Sequence, residues 1–372
     1  MNNWTPEQLQ HLVVAGAFVL AFVFGFIGNK THFCTMGAVA DIVNMGDWGR
    51  MRMWVLAIAI AILGVGLLNY AGLIDTRRSI YTQPALLWLS LLSGGALFGF
   101  GMVLASGCGS KTLIRIGQGN LKSLVVLLVM GLSALAAMRG VFSVLRRISV
   151  DQVQWTLPTT QDLPSLLAQV TGVSVATLGL ALSITLSALL ILWVLLPRAF
   201  RDSGLRRDIV WGGVIVGTLV VAAWFLTGFL GYLAEDPDTL QERFIGTNSG
   251  TLESFTFTAP MGYTLELLTR WNDSAQTFTF AVAAVLGMVA GSAAYAIYSR
   301  SFRWEGFGDI EDTAHHLIGG VMMGLGGVMA LGCTVGQGLS GVSTLAVGSV
   351  LALAAMIMGA VAGLRYQLWR LG

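Results

Sequence analysis

Long apolar runs dominate this chain. Stretches close to the ~20 residues that cross a bilayer fall at about 9–28, 52–73, 86–107, 121–140, 173–196, 209–232, 276–299, 315–332 and 345–368, and they predict nine spans. All seven prolines, Pro6, Pro84, Pro158, Pro164, Pro197, Pro237 and Pro260, lie outside these runs, as continuous helices require. Four further segments, 31–45, 109–118, 254–270 and 334–343, are too apolar for loops and too short to cross. They predict re-entrant half-helices, which lipid tolerates only where the backbone is covered by protein or faces a water-filled cavity.

Two of the breaks are near copies. Aligned on their cysteines, Gly94 to Cys108 (GGALFGFGMVLASGC) and Gly319 to Cys333 (GGVMMGLGGVMALGC) share five glycines, Val103/Val328, Ala105/Ala330 and the cysteine itself. Gly25 stands nine residues before Cys34, as Gly99 and Gly324 stand before Cys108 and Cys333, so the segment around Cys34 is a weaker third copy. The two strong copies end the third and eighth runs and therefore travel in opposite directions. The pattern predicts an inverted-topology duplication, with halves at 9–140 and 209–368 and a linker with a fifth span at 141–208. Folds of this kind place a substrate site near the midplane, between the halves, with broken helices aimed at it. In this pairing 31–45 corresponds to 254–270, and the Phe33/Phe255 flank puts Thr256 or Thr258 in the place of a fourth cysteine.

Composition removes the other broad classes. With 55% hydrophobic and 11% charged residues and a mean hydropathy of +0.75, residues 1–372 form one integral membrane domain and not a string of soluble ones. The expected fold class is an all-α polytopic membrane protein. The N-terminal decapeptide has no basic region, so residues 9–28 are expected to be a retained span and not a cleaved leader. Basic residues are scattered through short loops, which excludes nucleic acid as a partner. Cys34, Cys108 and Cys333 form no CxxC pair, and with His11, His32, His315 and His316 they offer no zinc spacing, so neither metal nor cofactor is expected.

Charge asymmetry sets an orientation. Arg198, Arg201, Arg206 and Arg207 mark 197–208 as cytoplasmic, whereas Glu235, Asp236, Asp238, Glu242 and Glu253 against Arg243 mark 233–254 as external. Counting outward places the N-terminus outside and the C-terminus inside; Arg77, Arg78, Arg146 and Arg147 then fall on the wrong side.

Chemistry concentrates on the cysteines. A thiol at the start of a half-helix lies beside unpaired backbone N–H groups and a positive dipole end, which favour an anion. Gly107, Gly109 and Gly332 let the backbone turn and approach a ligand closely. A neutral, polarizable S–H suits a sulfur-containing ion, and weak successive sites permit release as well as entry. Gln118 and Gln337, in IGQG and VGQG, are candidate amide donors, with a helix-cap role equally open. Lys111 and Arg115 suit an inner mouth or an ordinary basic loop, Asp41 and Asn44 would hold the first half-helix, and Glu266 and Arg270 form an i,i+4 pair.

The runs HFCTMGAVADIVNMGDWGRMRMW (32–54), SGCGSKTLIRIGQGNLKSL (106–124) and LGCTVGQGLSGVSTLA (331–346) resemble the YeeE/YedE-type sulfur-transport membrane proteins, over nearly the whole chain. The resemblance implies uptake of thiosulfate across the bacterial inner membrane, an hourglass-shaped helical protein, a role in uptake for each of Cys34, Cys108 and Cys333, and a small TusA-like cytosolic sulfur carrier as partner. The expected function is transport and not an enzyme reaction. A membrane thiol sulfurtransferase or oxidoreductase with a persulfide relay, a transporter of selenium or sulfite species and a structural membrane subunit are the alternatives. The 140–172 and 233–254 segments are longer and more polar than such a protein needs.

Overall fold

Nine helices stand on the nine apolar runs: α1 (Pro6–Lys30), α3 (Gly49–Tyr70), α4 (Trp88–Leu104), α6 (Leu121–Met138), α9 (Val175–Leu195), α10 (Arg206–Phe225), α12 (Phe280–Tyr298), α13 (Ile310–Met329) and α14 (Val347–Leu371). The computed structural model describes residues 5–196, 206–236, 240–272 and 277–371, so Arg198, Arg201 and Asp238 lie outside the described residues. Short helices fill the four short segments: α2 (Thr35–Met45), α5 (Gly109–Gly117), α11 (Thr258–Thr269) and a helix at 334–343 that widens into a π turn over Gly336–Gly341. Among the described residues amphipathic α7 (Val141–Ile148) and α8 (Leu163–Thr171) complete the α-helices, and strand is limited to two short antiparallel pairs. The chain is an all-α polytopic membrane protein.

Eight helical stretches among the described residues are long and apolar enough to cross a membrane. The helix on the predicted eighth run, α13, is not among them. It begins earlier than the run, on the N-cap Asp309, and carries Glu311 and Asp312 in its first turn. His316 is buried within it and bonds through Nδ1 to the Asp312 carbonyl at 2.7 Å.

Helices early in the chain pack on helices late in it, in matched pairs. α1 lies on α12 as α10 lies on α3, α4 lies on α14 as α13 lies on α6, and α4 and α13 meet each other. Glycines make these contacts possible. A Cβ at Gly94 would stand 2.8 Å from the Gly326 carbonyl oxygen, and one at Gly319 would stand 2.6 Å from that of Gly101. Because Gly94 matches Gly319 and Gly101 matches Gly326 in the repeat, the two contacts are copies of one contact. The glycines nine residues before each cysteine do the same on other neighbours: a Cβ at Gly25, Gly99 or Gly324 would lie 2.1, 2.0 or 2.5 Å from the carbonyl oxygen of Met288, Met356 or Met130. Small residues that admit a neighbouring backbone are a general route to helix association in lipid.

The same stop signal ends α1, α4 and α13. In each, the second residue before the cysteine adopts left-handed φ: His32 at 53°, Ser106 at 56° and Leu331 at 56°. In each, a pair of amides closes on the helix end, Phe33 N–H to Gly28 and His32 to Asn29, Gly107 to Met102 and Ser106 to Val103, Gly332 to Gly327 and Leu331 to Val328. This is a Schellman motif, here built three times without glycine at its left-handed position. One residue beyond the motif, Cys34 and Cys108 take extended backbone at the N-caps of α2 and α5, and Cys333 directly precedes the helix at 334–343.

The 140–172 segment ties the 71–87 connection to the start of α14. Gln161 takes a backbone bond to the Thr82 carbonyl, donates its amide to that of Gln83 at 2.9 Å and accepts from Gly348 N–H at 3.1 Å. The arginines that run against the expected orientation have polar partners. Arg77 bonds Asp75 at 2.9 Å, Arg78 bonds Glu242 at 2.6 Å, Arg146 bonds Asp151 at 3.2 Å and Arg147 bonds the Ser143 carbonyl at 3.2 Å.

Candidate functional site

Three thiols and one hydroxyl meet where four short helices begin. Cys34 caps α2, its sulfur accepting the Gly37 N–H at 3.3 Å, and Cys333 stands in the same relation to Gly336 N–H at 3.4 Å. Cys108 precedes α5, with its sulfur 3.3 Å from the Ser110 hydroxyl. All three are buried and free. Cys34 and Cys108 are electrostatic neighbours. The Thr256 hydroxyl, two residues ahead of α11, lies 3.9 Å from the Cys333 sulfur. Helix starts with unpaired amides therefore converge from segments far apart in the chain. Where the sulfur accepts from the helix amide, as at Cys34 and Cys333, its own S–H is left to donate elsewhere.

An aromatic wall supports this meeting point. Phe24 packs edge-on against Phe33, Phe255 and Phe257 at centroid distances of 6.0, 5.6 and 6.1 Å, and all four rings are buried. Phe33 and Phe255 thus both pack edge-on against one ring, and Phe257 does the same. The start of α11 puts Phe257, not Thr256, in the N-cap place. Thr256 still reaches the thiol because Gly336 admits it: a Cβ there would lie 2.5 Å from the Thr256 hydroxyl.

Tyr81 belongs to the site although nothing in its local sequence marks it. It sits in the irregular 71–87 connection, is buried, packs edge-on against Trp224 at 6.2 Å and directs its hydroxyl to Thr256. Trp224 is fixed in turn by its Nε1–H, which donates to the Ser343 hydroxyl at 3.0 Å. On the other side of the thiols Lys111 is half-buried, its stem 3.2 Å from where a Cβ at Gly107 would be.

The remaining predicted residues separate. A Cβ at Gly109 would stand 3.5 Å from that of Phe257, so this glycine brings α5 against the aromatic wall, while Gly332 takes φ 157° just before Cys333. Gln337 is buried in the π turn and donates to the Ala330 carbonyl at 2.5 Å, leaving its Oε1 without a partner. Gln118 caps α5 at the end away from the cysteine and donates to Asn29 at 2.5 Å, inside a network that continues to Ser292. Asp41 clamps α2 to α3 through Arg50, with bonds of 2.5 and 2.6 Å. Glu266 takes Arg270 at 3.3 Å and also Arg139 from beyond the end of α6. No cluster of metal-ligating side chains occurs among the described residues.

Comparison with known proteins agrees with the extent of this arrangement. A family described as sulphur transport matches residues 30–362. The chain is 26% identical to the thiosulfate transporter TsuA of Escherichia coli K12 over 346 residues, which cover 88% of this chain and 87% of that protein. It is 26% identical to the thiosulfate transporter TsuA of Spirochaeta thermophila over 348 residues, 92% of this chain and 95% of the relative. A shorter match of 107 residues, 29% identical, joins 28% of the chain to 24% of the probable transporter YedE of Escherichia coli K12.

Proposed function

The chain belongs to the sulphur transport family, and we propose that it carries thiosulfate, or a closely related sulfur-containing anion, inward across the bacterial inner membrane. The observation that carries this reading is the convergence of Cys34, Cys108, Cys333 and Thr256 at the starts of four short helices. The helix starts supply positive potential, the neutral thiols supply weak S–H donors, and the aromatic wall supplies a surface that does not hold an anion strongly. Such sites favour passage over capture. The reading includes two inverted halves at 9–140 and 209–368, a 141–208 linker, re-entrant half-helices at the four breaks, a periplasmic N-terminus and a cytoplasmic C-terminus. Reciprocal packing of α1 on α12 and α10 on α3 supports the halves. The anion moves without covalent change, and a TusA-like carrier receives sulfur on the cytoplasmic side.

Uptake of labelled thiosulfate into vesicles tests this, with Cys34→Ala, Cys108→Ala and Cys333→Ala beside the wild type and with sulfite, selenite and sulfate as competitors. Each variant is expected to lose most uptake, and wild-type rates in all three would overturn the thiol path. The proximity of Cys34 and Cys108 also suits a persulfide relay. Mass spectrometry during turnover separates the two, because conduction leaves all three cysteines unmodified.

A further inference from the structure

A cavity of about 1060 Å³ lies apart from the thiols, on the face where the 71–87 and 140–172 segments gather. It opens because α9 rests on α3 and α8 and stands off α1 and α10, leaving a wedge among the spans. α9 is among the most apolar helices of the chain, yet only 17% of its apolar window is buried within the protein. The walls of the wedge are apolar, formed by Leu9, Leu12, Leu180, Phe229 and Leu230. Such a space, flanked by lipid-facing helices, has the surface of an acyl-chain site.

Its rim is charged and balanced, with Asp75, Arg77, Arg78 and Asp162 all lining it. Asp162 is 4% exposed; its Oδ2 caps α8 by accepting Ser165 N–H at 3.0 Å, and its Oδ1 has no partner. An unpartnered buried carboxylate oxygen is costly and demands a donor. Arg77 spends its Nε and one terminal nitrogen on Asp75, which leaves further N–H groups of its five. One buried acceptor and one guanidinium with spare donors, above apolar walls, match a zwitterion with both an ammonium and a phosphate on two acyl chains.

We infer that this wedge is a binding site for a phospholipid with a primary ammonium headgroup, the ammonium donating to Asp162 Oδ1, the phosphate accepting from Arg77, and the chains lying between α9 and α10. The lipid takes the place of direct packing between these helices. A phosphatidylethanolamine fits these terms; a phosphatidylcholine has no N–H to donate, and a phosphatidylglycerol has no cation.

The test uses the full-length protein, delipidated in detergent, with native mass spectrometry and thermal unfolding in the presence of each of these three lipids or of thiosulfate. Phosphatidylethanolamine is expected to remain bound through harsher activation than the other two lipids and to raise the melting temperature by several degrees more. Asp162→Asn keeps a capable N-cap and is expected to remove that preference, while Leu180→Trp, which fills the wedge, is expected to reduce retention of phosphatidylethanolamine at least ten-fold. Equal retention of the three lipids by the wild type would overturn the site, whether or not the variants fold. So would a thiosulfate-dependent rise in melting temperature that Leu180→Trp abolishes while lipid retention is unchanged, since the wedge would then be an antechamber for the anion.

Discussion

The Thr256 hydroxyl stands 3.9 Å from the sulfur of Cys333, joining the break without a cysteine to one that has it. If the hydroxyl serves the path, Thr256→Val should lower the initial rate of labelled thiosulfate uptake about five-fold, from loss of roughly 1 kcal/mol of hydrogen bonding. Thr256→Ser should retain most of the rate. A Val variant as fast as the wild type would remove this residue from the path.

Glycines nine residues before a cysteine are predicted to be intolerant of even one methyl group. Gly99→Ala and Gly324→Ala drive a Cβ to 2.0 and 2.5 Å from backbone oxygens of α14 and α6, so the helices must part. Each should cost about 1–3 kcal/mol or more, seen as a lower melting temperature in detergent. Gly306→Ala, where a Cβ meets nothing within 4 Å, should be near neutral and serves as the control.

Asp41→Asn should loosen α2 without touching the thiol it carries. The carboxylate is buried but Arg50 is 36% exposed, so water screens the pair and a loss of about 1–2 kcal/mol is expected. Faster alkylation of Cys34 by a maleimide in the variant than in the wild type would show the loosening. Unchanged alkylation together with unchanged stability would mean that α2 is held by packing alone.

An acid limb in stability should trace to Asp75. Burial works to raise its carboxyl, but the hydrogen bonds and charge of Arg77, with the charge of Arg78, outweigh it and hold the group below its ordinary 3.8. The stabilisation is therefore complete above that value and is lost as pH falls through the lower folded value. Melting temperatures measured from pH 6 to pH 2.5 should fall more steeply for the wild type than for Asp75→Asn. Parallel curves would assign the acid limb to other groups.

Much of this arrangement was legible because lipid imposes simple rules. Runs near twenty residues marked the spans, and the eight matches between Gly94–Cys108 and Gly319–Cys333 marked a shared structure whose glycines now prove to be contacts between helices. α13 was misplaced at its start because its first turn is polar and is protected by capping at Asp309, a local effect that hydropathy does not register. Tyr81 and Gln161 were invisible because they lie in irregular connections, where only long-range contacts give a residue its place. Arg77, Arg78, Arg146 and Arg147 count against the expected orientation in a tally of positive residues, and such a tally does not register their partners Asp75, Glu242, Asp151 and the Ser143 carbonyl. That Gln118 lies in a network with Asn29 and Ser292, 89 and 174 residues away, is equally beyond local pattern.

His32, Ser106 and Leu331 share one backbone shape and nothing else: an imidazole, a hydroxyl and an isobutyl group stand two residues before the three cysteines. The sulfur positions are thus dictated by peptide geometry, and the identity of the preceding side chain is a free variable. Evolution can retune polarity beside each thiol, one face of the membrane at a time, while the spacing of the sulfurs stays constant.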